Sequence, residues 1–198
     1  MEAVRGKQRY DLDRDELDRL AAGRPVWLDI GSGDGRFVVE VAGANPGVLS
    51  MGVDAARENV RPASRRAPAN AIFLIANVDK LDADLMGIAD RVTVNYPWGS
   101  LLEGLLDGRS SAWDALTTVM KPSVELELTL NAETLDRAGS GVDAGLQMLC
   151  DALGARGFTV QTVQRLDRED MRRMASTWSR RLAFGRRPHA IRIQAARG

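Results

Sequence analysis

Val26-Trp27-Leu28-Asp29-Ile30-Gly31-Ser32-Gly33-Asp34-Gly35 is the stretch that decides the fold. The apolar run Val26 to Ile30 reads as a buried strand, and the chain from Asp34 onward reads as a helix start. The turn between them alternates glycines with other residues, as backbone does where it must come close to a ligand. Amides at the following helix N-terminus favour a negative ligand group, here a carboxylate. A dinucleotide loop would read G-x-G-x-x-G, but this one reads G-x-G-x-G, with Arg36 where the third small residue should stand. Asp29, two residues before Gly31, suits the ammonium end of an amino-acid-like cofactor. A tight strand-to-helix turn without a ligand is the competing explanation.

Around this stretch, 198 residues suffice for one well-cored domain, and 44% hydrophobic with 27% charged residues is ordinary for a globular chain. The single cysteine, Cys150, sits in an apolar helical pattern, so no disulfide framework exists and a reducing compartment is expected. No apolar run approaches the ~18 residues of a membrane span, and Met1 to Lys7 lacks a signal-peptide core, so a cytoplasmic protein is expected. Net charge is zero, but it is segregated. Asp11 to Asp18 holds five acids against one arginine, whereas Arg165 to Arg187 holds eight arginines against three acids. A second basic cluster is Arg57, Arg61, Arg65 and Arg66. One-sided basic character of this kind is compatible with a nucleic-acid partner.

Val4 to Tyr10 alternates about a glycine as a small hairpin, and Asp13 to Leu20 is helical. After the strand Val26–Ile30 comes a helix over Arg36 to Ala44. Val48 to Asp54 reads as the second strand, closing in an acid 23 residues after Gly31, where doubly wound folds set a carboxylate against ribose hydroxyls. An N-cap for the helix over Arg57 to Arg66 is a compatible role for Asp54. Ala71 to Ala76 is the third strand, and Asn77 and Asp79 follow it. Asp79 can accept from an adenine amine by fold analogy, or stand as a solvated loop acid. Arg91 to Val94, the fourth strand, delivers Asn95-Tyr96-Pro97-Trp98-Gly99-Ser100 to the switch point of the sheet. There Trp98 reads as a substrate wall, against the alternative of a core aromatic. A helix then carries Leu101, Leu102, Leu105 and Leu106. Ser110 to Met120 is helical and stopped by Lys121-Pro122; Ser123 to Leu130 is a strand, Val142 to Ala155 a helix, Phe158 to Val163 a strand, and His189 to Ile193 the last. The order predicts an α/β, Rossmann-like fold: one seven-stranded, mostly parallel sheet with helices on both faces, an antiparallel last strand and an N-terminal hairpin. A single domain over 1–198 is expected, with 1–11 as the hairpin extension and 164–188 as an arginine-rich linker between the last two strands.

The D-x-G-x-G-x-G string from Asp29 to Gly35 resembles the first motif of S-adenosylmethionine-dependent methyltransferases. Asn95-Tyr96-Pro97-Trp98 lies where amino-methylating enzymes carry an Asn/Asp-Pro-Pro-aromatic motif, with Tyr96 in place of the first proline. More specifically, Pro97-Trp98-Gly99-Ser100-Leu101-Leu102 and Ser176-Thr177-Trp178-Ser179-Arg180-Arg181-Leu182 resemble the Kam-type 16S rRNA adenine-N1 methyltransferases of aminoglycoside resistance, which modify the decoding-site adenine 1408.

That resemblance implies S-adenosylmethionine as cofactor, held by Asp29, Gly31, Gly33, Gly35, Asp54, Asn77, Asp79 and Asn95, with S-adenosylhomocysteine as product. It implies that Trp98 and Trp178 sandwich a flipped adenine, with Pro97 and Ser176 orienting the base or holding Trp178. Lys7, Arg61, Arg65, Arg66, Arg172, Arg173, Arg180, Arg181, Arg186 and Arg187 become candidates for rRNA phosphates, a solvated face being the competing explanation for each. The expected partner is 16S rRNA within the assembled 30S subunit, with no metal, no membrane and a monomeric enzyme. A tRNA guanine-N7 methyltransferase and an inactive cofactor- or RNA-binding module are the alternatives.

Overall fold

The computed structural model describes residues 1–81, 83–108, 111–139, 141–174, 176–184 and 189–198. The N-terminal hairpin pairs β1 (Glu2–Arg5) with β2 (Gln8–Asp11). Helix α1 (Arg14–Ala21) opens with a reciprocal cap: the Asp13 carboxylate accepts from the Glu16 amide at 2.8 Å, and the Glu16 carboxylate accepts from the Asp13 amide at 3.2 Å. Then follow β3 (Val26–Ile30), α2 (Arg36–Ala44), β4 (Leu49–Asp54), α3 (Arg57–Ser64) and β5 (Ala71–Ile75). Two short 3-10 turns lead to β6 (Ala89–Asn95), α4 (Gly99–Leu106), α5 (Ser111–Val119) and β7 (Met120–Asn131). The chain closes with α6 (Ala132–Gly139), α7 (Val142–Gly154), β8 (Thr159–Leu166), α8 (Arg168–Arg173), α9 (Thr177–Ala183) and β9 (Ala190–Arg197).

Among the described residues the strands form one sheet in the order β2-β1-β5-β4-β3-β6-β7-β9-β8. Strands β5, β4, β3, β6 and β7 run parallel, and β9 lies antiparallel between β7 and β8. The expected seven-stranded core is present, and the hairpin widens it by pairing β1 antiparallel to β5. Leu28, Ile30, Met51, Val53, Val92, Val94, Leu126 and Leu128 project from one face into the main core with Leu105, Trp113, Leu116 and Leu149. The opposite face is covered beside β4 and β5 by α2 and α3 through Val38, Ala42, Val60 and Phe73. This two-sided burial explains why the parallel strands read as near-continuous apolar runs.

Two expectations require revision. Lys121-Pro122 does not separate a helix from a strand: β7 already begins at Met120. Its pairing with β6 jumps from Ala89↔Met120 to Arg91↔Glu125, so the proline sits in an irregularity where no ladder amide is required. Helix α6 also goes unread in the sequence, and β8 and β9 each run farther than periodicity indicates, to Leu166 and Arg197.

The chain moves from β3 outward to β4 and β5, then returns to β6 on the other side. The carboxyl ends of β3 and β6 therefore flank the point where strand order reverses, which is where open α/β sheets form ligand crevices.

Candidate active site

A cavity of about 690 Å³ opens at that reversal, within the range of small-molecule sites. Its lining includes Gly31, Gly33, Asp54 and Asn77 together with Trp98, Trp178 and Arg181. The two indoles are 80 residues apart in sequence and line the same cavity. Trp98 is 78% exposed and Trp178 49%, so neither is core filler.

Gly31, Gly33 and Gly35 all take left-handed φ, at 71°, 55° and 72°. They serve different ends. A side chain on Gly33 would meet nothing within 4 Å, so this glycine keeps the cavity wall low. A Cβ on Gly35 would stand 2.5 Å from Phe73 Cε1 and 3.1 Å from Ala63 Cβ, so Gly35 lets α2 pack against β5 and α3. The loop's amides are largely spent internally. Gly31 and Ser32 both donate to the Val53 carbonyl at 2.9 Å, Gly33 donates to Asp54 Oδ2 at 2.8 Å, and Gly35 donates to the Ser32 carbonyl at 2.9 Å. The amide cradle that the sequence pattern implies for a carboxylate is thus replaced by a loop braced on Asp54. The other Asp54 oxygen accepts from the Ala56 amide at 2.8 Å, an Asx turn ahead of α3. The N-cap of that helix is Ala56, without a side-chain bond, so the N-cap role expected of Asp54 is not what the structure shows.

Asp29 does not line the cavity. It is 3% exposed, and its Oδ1 accepts from the Thr93 hydroxyl at 2.7 Å and the Asn95 amide at 3.1 Å. Burial raises its pKa to about 7; the Thr93 and Asn95 hydrogen bonds oppose that rise, and the Asp54 and Glu127 charges add to it. The Asn95 amide thus points its nitrogen inward, at Asp29. Asn95 Oδ1 is left buried without a partner among the described residues, on a side chain that lines the cavity. That orphaned acceptor, the low wall at Gly33 and the Asp54 carboxylate suit a ligand bearing an ammonium and neighbouring hydroxyls, as S-adenosylmethionine does.

The Trp98 wall is built by Tyr96. Its φ of 51° is uncommon for a bulky residue, and the turn it makes throws Pro97 and Trp98 outward while its own ring points in. The Tyr96 amide donates to the Thr129 carbonyl at 2.7 Å, and its ring is buried with Leu166, Met171, Met174, Ala183 and Ala190. Its hydroxyl lies 2.9 Å from Ser179 Oγ on α9, the helix that carries Trp178. Ser176 is the N-cap of that helix, accepting from the Ser179 amide at 3.2 Å, so its hydroxyl holds the Trp178 helix rather than lining the cavity. Thr177 donates to Asp34 Oδ2, tying α9 directly to the glycine loop. The sequence singles out neither Tyr96 nor Thr177 as a strut; their only signal is that each flanks a motif tryptophan.

The basic candidates separate into two groups. Lys7 is exposed in the hairpin turn, where the Gly6 amide donates to Ser64 Oγ at 2.8 Å and brings Lys7 beside exposed Arg65 and Arg66 at the end of α3. Half-buried Arg61 lies within the same helix. Arg172, Arg173, Arg180 and Arg181 are exposed on α8 and α9, and Arg181 lies over the Trp178 ring at 5.7 Å. Arg173 is already paired with Glu169. Arg186, Arg187 and the Asp79 side chain lie outside the described residues.

Known proteins share this arrangement along the whole chain. The family model described as NpmA, 16S rRNA (adenine(1408)-N(1))-methyltransferase, matches residues 2–197. A 16S rRNA (adenine(1408)-N(1))-methyltransferase from Escherichia coli is 27% identical over 209 aligned positions, covering 96% of this chain and 95% of the relative. The crystal structure of a tryptophan-to-alanine variant of the corresponding enzyme from Catenulisporales acidiphilia, with cosubstrate SAM, superposes with a TM-score of 0.82 at 27% identity, covering 100% of this chain and 96% of that one. The aminoglycoside resistance methyltransferase NpmB1 gives 0.78 at 26% identity, over 100% and 99%. With a methyltransferase sheet, a braced glycine loop and two distant tryptophans lining one cavity, and with the match running from the hairpin to the last strand, the chain belongs to the 16S rRNA (adenine(1408)-N(1))-methyltransferase family.

Proposed function

We propose that the cavity takes S-adenosylmethionine against the ends of β3, β4 and β5, and an extruded adenine between Trp98 and Trp178, so that the enzyme methylates N1 of adenine 1408 in the 30S subunit. The presence of both indoles in one cavity with the glycine loop carries this reading. Asp54 would accept from the ribose hydroxyls with the lone pairs left over from its two amide bonds, Asn95 Oδ1 from the ammonium, and Asn77 and Asp79 would face the adenine end.

The bound cofactor supplies an electrophilic methyl on a sulfonium centre. The chain's contribution is to hold the base. Stacking at ~1–3 kcal/mol per base offsets the few kcal/mol of extrusion. N1 of adenine already carries a lone pair, so positioning supplies the rate and no general base is required. The Pro97 carbonyl and the α9 helix, capped by Ser176 and braced by Tyr96, set the direction in which the base lies. Lys7, Arg61, Arg65, Arg66, Arg172, Arg173, Arg180, Arg181, Arg186 and Arg187 would meet phosphates of a preformed subunit surface, because a chain of zero net charge gathers naked RNA poorly. A monomer acting in the cytoplasm, where ribosomes work, fits this role, and aminoglycoside resistance is its consequence. Among the described residues no helix is long and apolar enough to cross a membrane.

The test is incubation of 30S particles with tritiated cofactor, followed by primer extension on 16S rRNA. A new stop at adenine 1408 is expected, together with tritium incorporation that particles already methylated at that adenine do not show. Labelling of bulk tRNA in preference to 30S, or cofactor binding without turnover on either, would overturn the proposal.

A further inference from the structure

Helix α9 presents more than Trp178. Ser179 and Ala183 are buried and Leu182 is partly so, which fixes the inward side. At about 100° per residue, Arg180, Phe184, Thr177, Arg181 and Trp178 then fall in sequence along one arc of roughly 160°, with Thr177 hydrogen-bonded to Asp34 at its middle. Phe184 belongs to this arc because its backbone is still helical, with φ −87° and ψ −5°. It is 75% exposed and lies outside the buried cluster that α9 forms with Tyr96 and Met171. The Arg172 guanidinium sits 5.2 Å from its ring centroid, repeating the pairing of Arg181 with Trp178 at 5.7 Å. The surface therefore carries the same ring-and-guanidinium unit twice, once on the cavity wall and once outside it.

We propose that Phe184 and Arg172 form a second nucleotide-binding site, in which the Phe184 ring stacks on an unpaired rRNA base outside the methylation pocket and Arg172 meets its phosphate. The inference rests on the proposed rRNA substrate and extends it from one base to two. A ring left in water gains by stacking on any base, and a guanidinium beside it selects a polyanion over an apolar partner. One ring with arginines around it is far too small for a stable interface between two protein copies.

The test uses the full enzyme with Phe184→Leu and Phe184→Trp, assayed on intact 30S subunits. Phe184→Leu should raise KM for 30S about tenfold, within the worth of one stacked base, with kcat changed less than twofold and cofactor affinity by calorimetry unchanged. Phe184→Trp should restore KM. A wild-type KM in Phe184→Leu, or a loss of kcat or of cofactor binding in place of the KM effect, would overturn this inference while leaving methylation of adenine 1408 standing. Failure of the unaltered enzyme to methylate 30S would remove the substrate reading itself, and this inference with it.

Discussion

Tyr96→Phe tests whether the tyrosine holds the Trp178 helix in place. Ser179 has one hydroxyl proton, and it goes to the Met171 carbonyl at 2.7 Å; the 2.9 Å bond to Tyr96 therefore has the tyrosine as donor. Burial raises the Tyr96 pKa, so the phenol keeps that proton. Its removal deletes one buried hydrogen bond, about 1 kcal/mol, while Ser179→Ala takes the hydroxyl donor from the Met171 carbonyl and leaves the Tyr96 hydroxyl only the Met174 sulfur at 3.6 Å, about 1–3 kcal/mol. In a double-mutant cycle the pair should couple by about 1 kcal/mol. Because the bond joins α9 to the end of β6, the loss should fall on local docking of α9. Amide exchange over Thr177–Ala183 should quicken about fivefold in Tyr96→Phe, with exchange in β3 and β4 unchanged, and KM for 30S should rise in step. Equal acceleration in the strands, or none in α9, would mean that Tyr96 is ordinary core and that the positioning argument is wrong.

The glycines should separate by role: Gly35→Ala, with left-handed backbone and a 2.5 Å approach to Phe73, should cost roughly 2–5 kcal/mol in urea unfolding, whereas Gly33→Ala should cost about 1–2 kcal/mol yet weaken cofactor binding by calorimetry. The reverse ranking in stability would refute the division. Trp98→Ala and Trp178→Ala, on exposed side chains, should shift stability by no more than about 0.5 kcal/mol and leave cofactor affinity intact, while methylation falls at least tenfold; a retained rate in either would end the sandwich proposal. Asp29 has a folded pKa of about 7 against an ordinary 3.8, so the native state holds its proton more tightly and this contribution to stability is lost as pH rises from about 4 through 7. Asp29→Asn removes that loss, so its stability relative to the parent should grow between pH 5 and pH 8, by an amount of order a few kcal/mol; a gap that shrinks with pH would contradict burial as the cause.

The sheet was readable because parallel strands covered on both sides leave uninterrupted apolar runs, and because Gly31, Gly33 and Gly35 mark a turn few residues can make. The pairing of Trp98 with Trp178 came from resemblance, since no periodicity connects positions so far apart. The supports of the site stayed hidden for the same reason. The Thr177–Asp34 hydrogen bond spans 143 residues, and nothing local to either residue announces it. Tyr96 looked like a departure from a proline motif, yet it is the residue on which the turn depends. Asp29 was expected beside the ligand and is instead buried and hydrogen-bonded to Asn95, because a strand residue facing α2's side of the sheet is covered before it can reach the crevice. Strand β7 was cut short at Pro122 because a proline normally argues against a ladder, and only the register jump beside β6 shows why it is tolerated.

Strands β8 and β9 stay paired up to Leu166↔Ala190, immediately before and after the segment that carries α8 and α9. Both ends of that segment are thus clamped side by side by the sheet, and closing the excursion needs no further order from within it. A doubling of such an excursion's length costs only about 0.6 kcal/mol in closure entropy. The hairpin consequently works as a socket: the segment proposed to read RNA can be lengthened, recharged or exchanged while the rest of the sheet keeps its register.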